Sequence, residues 1–203
     1  MIGFYDYTVI LTYVGLISAV FGMAQAVNGN YLMALLCLGI TLVCDTLDGR
    51  VARAKKNRTK EESMFGVQID SLCDVISFGA FPALLCYCMG LKEWYSLVIL
   101  GYYCLCSVIR LGYFNVLAQT KEPGAKAVYH GMPVVGLAMF LPAAFLLGIW
   151  LPGAVFLWLL RLMLLTFGTL YILDFKMEKP GTAKLAITGV LILVPYVLLF
   201  VMA

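Results

Sequence analysis

Charge is scarce in this 203-residue chain, where Lys, Arg, Asp and Glu together make up 12% against about a quarter in an ordinary soluble domain. That shortage excludes a water-soluble globule, and a hydrophobic content of 63% points to a chain built for lipid. There is one histidine, no Gly-rich phosphate loop and no Ser-His-Asp pattern, so the familiar hydrolase and nucleotide-binding signatures are missing. No internal repeat links the two halves, which removes a pattern common in secondary transporters. Residues 1–7 hold no Lys or Arg ahead of the first apolar run, and the first segment is therefore expected to be retained rather than cleaved. A formal charge of +3 is too small to argue for nucleic acid as a partner.

What is present is a series of apolar segments, at 8–27, 31–54, 64–90, 94–118, 133–150, 152–173 and 184–203. A hydrocarbon core about 30 Å thick needs roughly 20 such residues per helix. The pattern predicts an all-α, polytopic transmembrane helix bundle and one integral membrane domain over 1–203. The polar stretch 54–63 reads as a loop or frayed helix end between the second and third segments. The seven cysteines all fall inside apolar runs and read as small hydrophobes. The pairs Cys86/Cys88 and Cys104/Cys106 are spaced i, i+2, which sends their sulfurs to different helix faces and argues against zinc.

Basic residues near segment ends favour the cytoplasmic side. Connections after segments two, four and six hold eleven: Arg50, Arg53, Lys55, Lys56, Arg58, Lys60, Lys121, Lys126, Lys176, Lys179 and Lys184. The opposite connections hold only Lys92. The amino terminus is thus expected in the cytoplasm of a cell-membrane protein, with Trp94 and Trp150 at the outer interface.

Against this background residues 44–79 stand apart. Asp45 and Asp48 are spaced i, i+3, and Asp70 and Asp74 i, i+4, so each pair shares a helix face. Gly49 and Ala52 continue the first stripe and Gly66 begins the second. Two facing helices of this kind make an acidic pocket with small walls. A carboxylate in a membrane helix costs several kcal/mol unless it is paired, hydrated or metal-bound, and clustered carboxylates repel. Hard divalent cations resolve both problems, and all-oxygen donors suit Mg²⁺, Mn²⁺ or Ca²⁺ rather than zinc. Two such ions about 4 Å apart can clamp a pyrophosphate, with Arg53 and Arg50 adding positive charge. A lone Asp near a helix end is usually a solvated cap. Four in stripes beside glycines are not accounted for in that way.

The run D-T-L-D-G-R-V-A-R followed by F-G-V-Q-I-D-S-L-C-D resembles the signature of the CDP-alcohol phosphatidyltransferases, D-x2-D-G-x2-A-R-x8-G-x3-D-x3-D. Its fixed residues stand here as Asp45, Asp48, Gly49, Ala52, Arg53, Gly66, Asp70 and Asp74. Twelve residues separate Arg53 from Gly66 instead of the usual eight, which lengthens the cytoplasmic connection. The pieces D-S-L-C-D-V-I-S-F-G-A-F-P-A at 70–83, I-R-L-G-Y-F-N-V at 109–116 and H-G-M-P-V at 130–134 are most similar to the family's serine-using members. Those members often carry an Asn in the first helix, where this chain has Thr12-Tyr13-Val14.

The resemblance implies a six-helix catalytic core plus about one further helix. It implies transfer of the phosphatidyl group from CDP-diacylglycerol to L-serine, giving phosphatidylserine and CMP, in a homodimer. It places two divalent cations, Mg²⁺ or Mn²⁺, on Asp45, Asp48, Asp70 and Asp74, with Asp74 as general base. CDP binding falls to Asp45, Asp48, Gly49, Ala52, Arg53, Gly66 and Asp70. Outside the motif, Arg110 and Asn115 are candidates for the acceptor or a lipid phosphate, and an arginine snorkelling to the interface is the plainer reading of Arg110. His130, before Gly131-Met132-Pro133, reads as a loop or cap residue. Arg161 is expected to pair with a polar group in the bundle or at a subunit contact. Alternatives are another acceptor such as glycerol phosphate, inositol phosphate or an amino alcohol, and an archaeal ether-lipid donor. A cation channel or transporter would need polar residues through the whole membrane depth, whereas these carboxylates cluster beside Arg50 and Arg53.

Overall fold

Small residues decide how the first helices meet. In the computed structural model, which describes Gly3 and residues 7–55, 59–120, 129–177 and 193–202, a short 3-10 turn (Tyr7–Val9) leads into α1 (Ile10–Val27). The buried face of α1 is Thr12, Gly15, Ala19, Gly22 and Ala26. Such a stripe lets helix backbones approach closely, the packing favoured between helices in lipid. A Cβ on Gly22 would fall 2.8 Å from the Cβ of Cys37 on α2 (Tyr31–Ala54), so that approach requires glycine. At 24 residues, α2 is about 36 Å long, enough to carry its acidic end beyond the hydrocarbon.

The next span is a single rod in three pieces: α3 (Lys60–Asp74), a π-helical turn (Val75–Ala80) and α4 (Phe81–Cys88). Its start corrects the expectation of a loop or frayed end up to residue 63. The sequence T-K-E-E at 59–62 forms a capping box: Thr59 Oγ1 accepts from the Glu62 backbone N–H at 3.1 Å, and Glu62 Oε2 accepts from the Thr59 N–H at 3.0 Å. Reciprocal capping satisfies two otherwise unpaired donors, so the helix begins within the charged run. Lys55 Nζ pairs with the same Glu62 oxygen at 3.2 Å, tying the end of α2 to the start of α3.

Then come α5 (Trp94–Thr120), α6 (Gly136–Gly148, with Pro142 inside it), α7 (Gly153–Ile172) and α8 (Leu193–Met202). Five spans are long and apolar enough to cross a membrane: 7–27, 31–52, 61–88, 94–118 and 153–172. The helices α6 and α8 are shorter than the expected fifth and seventh segments, and part of the latter, 184–192, lies outside the described residues. The fold is a polytopic helical bundle. Its core includes Leu35, Leu38, Phe81, Leu85, Leu141 and Leu160, each fully buried. Two-residue strands, β1 (Tyr129–His130) and β2 (Lys176–Met177), pair antiparallel beside the C-terminal end of α7. The seven cysteines are free and buried or half-buried.

Arg161 finds its partners within the chain. Its Nη2 donates to Glu93 Oε2 at 2.8 Å and its Nε to Ser96 Oγ at 2.9 Å, and its guanidinium lies 4.9 Å from the ring centres of both Tyr95 and Trp158. Hydrogen bonds from its own backbone N–H, from Arg161 and from Ser96 hold the exposed Glu93 carboxyl below its ordinary value of 4.5. Trp94 and Trp150 are 77% and 87% exposed.

Candidate active site

The four aspartates converge where α1, α2 and α3 meet. One carboxylate oxygen from each of Asp45, Asp70 and Asp74 lies within 4.8 Å of the others. Asp48, 7% exposed, joins the cluster through two adjoining cavities: a small one shared with Asp45 and Asp74, and one of about 380 Å³ shared with Asp70. The helical period explains the meeting, since i, i+3 on α2 and i, i+4 on α3 point each pair toward the facing helix.

The larger cavity collects the rest of the motif. Gly49 and Ala52 from α2 and Gly66 from α3 form its walls, and Lys55 and Ser63 close its polar side. Small side chains leave room for a flat or phosphorylated ligand beside the backbone. Arg53 lies on α2 one turn beyond Gly49, and its side chain is outside the described residues, as are those of Lys60 and His130.

The donor set fits a hard divalent cation. Asp70 Oδ1 is buried and has no hydrogen-bond partner among the described residues, an arrangement whose cost a cation would remove. By contrast Asp48 Oδ2 accepts a hydrogen bond from the buried Thr12 hydroxyl at 3.0 Å. Thr12 is the first residue of the Thr12-Tyr13-Val14 stretch noted above. The sequence offered no sign that it would meet Asp48, because the contact joins residues 36 apart. In the sequence Lys55 is one charge in a basic run, with nothing to set it apart from Lys56 or Arg58.

The two further candidates face different neighbours. Asn115 leans on α3: Ser71 Oγ donates to its Oδ1 at 2.7 Å and its Nδ2 donates to Gln68 Oε1 at 3.3 Å. Arg110 turns toward α7, donating to the carbonyls of Tyr171 at 3.2 Å and Gly131 at 3.3 Å, with Phe114 under its guanidinium at 4.4 Å. It borders a separate cavity of about 240 Å³ with Tyr113 and Asp174.

An apolar groove of about 690 Å³ runs along α2 between α6 and α8. Cys44 lines both this groove and the small acidic cavity, so apolar and acidic spaces adjoin at one turn of α2. At the far end Tyr196 of α8 fills the space over Gly39, where a Cβ would fall 2.6 Å from its ring, and its hydroxyl donates to the Ala138 carbonyl at 2.9 Å.

Several known proteins are similar to this chain in sequence. The CDP-diacylglycerol–serine O-phosphatidyltransferase of Saccharomyces cerevisiae is 37% identical over 106 residues, 50% of this chain and 37% of the yeast protein. The archaetidylserine synthase of Methanothermobacter thermautotrophicus is 33% identical over 124 residues, 61% of this chain and 50% of that protein. The CDP-diacylglycerol–serine O-phosphatidyltransferase of Helicobacter pylori strain 26695 is 33% identical over 126 residues, 58% of this chain and 48% of its own. The chain thus spans half or less of the length of these relatives. The family model for CDP-alcohol phosphatidyltransferase matches residues 8–202, nearly the whole chain, and the chain belongs to that family.

Proposed function

We propose that this chain, acting as one catalytic domain over 1–203, transfers the phosphatidyl group of CDP-diacylglycerol to L-serine and releases CMP. The observation that carries the reading is the meeting of four aspartates, one with a buried oxygen unsatisfied among the described residues, beside a cavity lined by Gly49, Ala52 and Gly66. Asp45, Asp48, Asp70 and Asp74 would hold two Mg²⁺ or Mn²⁺ ions. Bound there, the ions would supply positive charge to the pyrophosphate and to the departing CMP.

The chain's own groups do the rest. Asp45, Asp48 and Asp70, with Gly49, Ala52 and Gly66, shape the CDP site, Lys55 adds positive charge at its polar edge, and Arg53 is assigned to CDP binding with the rest of the motif. Asp74 takes the proton of the serine hydroxyl, the freed oxygen forms a bond to the phosphorus bearing diacylglycerol, and the bond from that phosphorus to CMP breaks. Thr12 keeps Asp48 oriented. Arg110 or Asn115 meets the acceptor carboxylate or a lipid phosphate. The groove beside Cys44 suits a lipid tail, which stays among apolar side chains while the headgroup reaches the aspartates. The excess of Lys and Arg after α2 supports a site on the cytoplasmic side of the cell membrane, and the assembly proposed is a homodimer.

Likeness to both diacylglycerol-linked and archaetidyl-linked relatives makes an ether-lipid donor the second reading. The test is CMP release by the purified chain with Mg²⁺ or Mn²⁺, either donor, and serine, glycerol phosphate, inositol phosphate or an amino alcohol. Metal-dependent release with serine and the diacylglycerol donor is expected. Preference for another acceptor or donor would reassign the substrate, and no release with any pair would end the reading.

A further inference from the structure

Immediately after Asp74 the rod leaves the α-helical pattern. Val75–Ala80 is π-helical, with the Phe81 N–H donating to the Ile76 carbonyl, a wide turn that often marks functional sites. Phe78, inside that turn, walls the small cavity shared by Asp45, Asp48 and Asp74. Its carbonyl accepts a 2.6 Å hydrogen bond from the hydroxyl of Tyr103, a fully buried residue of α5. Tyr103 Oη lies 3.5 Å from Tyr171 Oη on α7. The Tyr171 hydroxyl donates to the Val134 carbonyl at 2.8 Å and accepts from the Leu137 N–H at 3.1 Å. The Tyr171 carbonyl in turn accepts from Arg110. A line of polar contacts therefore crosses the apolar core from the turn beside Asp74 to the Arg110 region. Buried phenols need partners, but any carbonyl would satisfy that need; the one used here belongs to the wall of the acidic cavity.

We propose that Tyr103, backed by Tyr171, is a positioning residue for Asp74, its hydroxyl fixing the π-helical turn that sets the direction of that carboxylate. The inference rests on reading the aspartates as the metal-dependent transfer site. Tyr102 supplies the control: its hydroxyl bridges the same two helices through Thr169 Oγ1 at 3.0 Å and, among the described residues, makes no hydrogen bond to the π turn or to Tyr171.

The experiment compares full-length wild type, Tyr103→Phe, Tyr171→Phe and Tyr102→Phe in phosphatidylglycerol nanodiscs, by CMP release and by Mn²⁺ affinity from electron paramagnetic resonance. Tyr103→Phe is expected to lower kcat at least tenfold with both KM values within twofold, and to weaken Mn²⁺ binding at least threefold. Tyr171→Phe should move both in the same direction by less, and Tyr102→Phe should move neither. Wild-type kcat and Mn²⁺ affinity in Tyr103→Phe would overturn the proposal, as would equal losses in Tyr103→Phe and Tyr102→Phe. If Tyr103→Phe does not fold, Tyr171→Phe decides by the same two readouts. Wild type without CMP release would end the transfer reading alone, because Mn²⁺ affinity still tests the positioning.

Discussion

The bundle holds two charged clusters, one just past the C-terminal end of the α3–α4 rod and one at its middle, where α3 gives way to the π turn, and they solve the same problem in opposite ways. At the Glu93 end, Arg161 is buried but saturated: a carboxylate, a hydroxyl and two aromatic faces surround it. At the middle of the rod four carboxylates share a site, and one buried oxygen has no donor among the described residues. A charge in an apolar bundle must be answered by something. Partners within the chain answer the first cluster, which therefore serves packing. On the proposed function a bound cation answers the second, and a folded chain tolerates such a deficit where binding repays it.

Substitutions should separate the two clusters. The largest effect is expected for Asp74→Asn, which removes both a carboxylate ligand and the proposed proton acceptor: CMP release should fall at least a thousandfold, ~4 kcal/mol in barrier, while the melting temperature without metal stays level or rises as like-charge repulsion is relieved. Substantial turnover in this variant would break the comparison at its functional end. Arg161→Met should do the reverse, lowering the melting temperature by several degrees while CMP release per folded molecule stays within twofold. A catalytic defect at unchanged stability would show that the cluster is not merely structural.

A smaller change tests the carboxylate that does have a donor. Thr12→Val keeps the shape and removes the hydroxyl from Asp48, so kcat should fall about tenfold, the ~1.5 kcal/mol of a hydrogen bond to a charged group, and Thr12→Ser should restore most of it. The smallest effect concerns pH. Because the folded state lowers the Glu93 pKa, its contribution is present above the ordinary value of 4.5 and is lost as pH falls through the lower folded value. The melting temperature of wild type should therefore drop more steeply than that of Glu93→Gln on acidification below that point. Parallel curves would remove Glu93 from the stability of the Arg161 cluster.

Five helices long and apolar enough to cross a membrane were legible because an apolar run of sufficient length has few other uses, and the stripes of Asp45/Asp48 and Asp70/Asp74 were legible because helical spacing puts each pair on one face. The T-x-x-E cap was legible in principle, but the surrounding charges hid it. The π turn carried no mark, since no local preference separates V-I-S-F-G-A from ordinary helix.

What the chain's letters determined alone was therefore local and periodic: where helices run, which faces are acidic or small, and that the charge near residues 45–74 needs an explanation beyond packing. Only the tertiary structure decided which distant groups meet. Thr12 rather than any other hydroxyl reaches Asp48, Glu93 and Ser96 answer Arg161, and Arg110 and Asn115, five residues apart, face α7 and α3 respectively. The physical reason is that such contacts depend on how closely helices approach and at what rotation. Those are set jointly by small residues such as Gly15 and Gly22 and by the large side chains facing them, and no single stretch of sequence contains both halves of that fit.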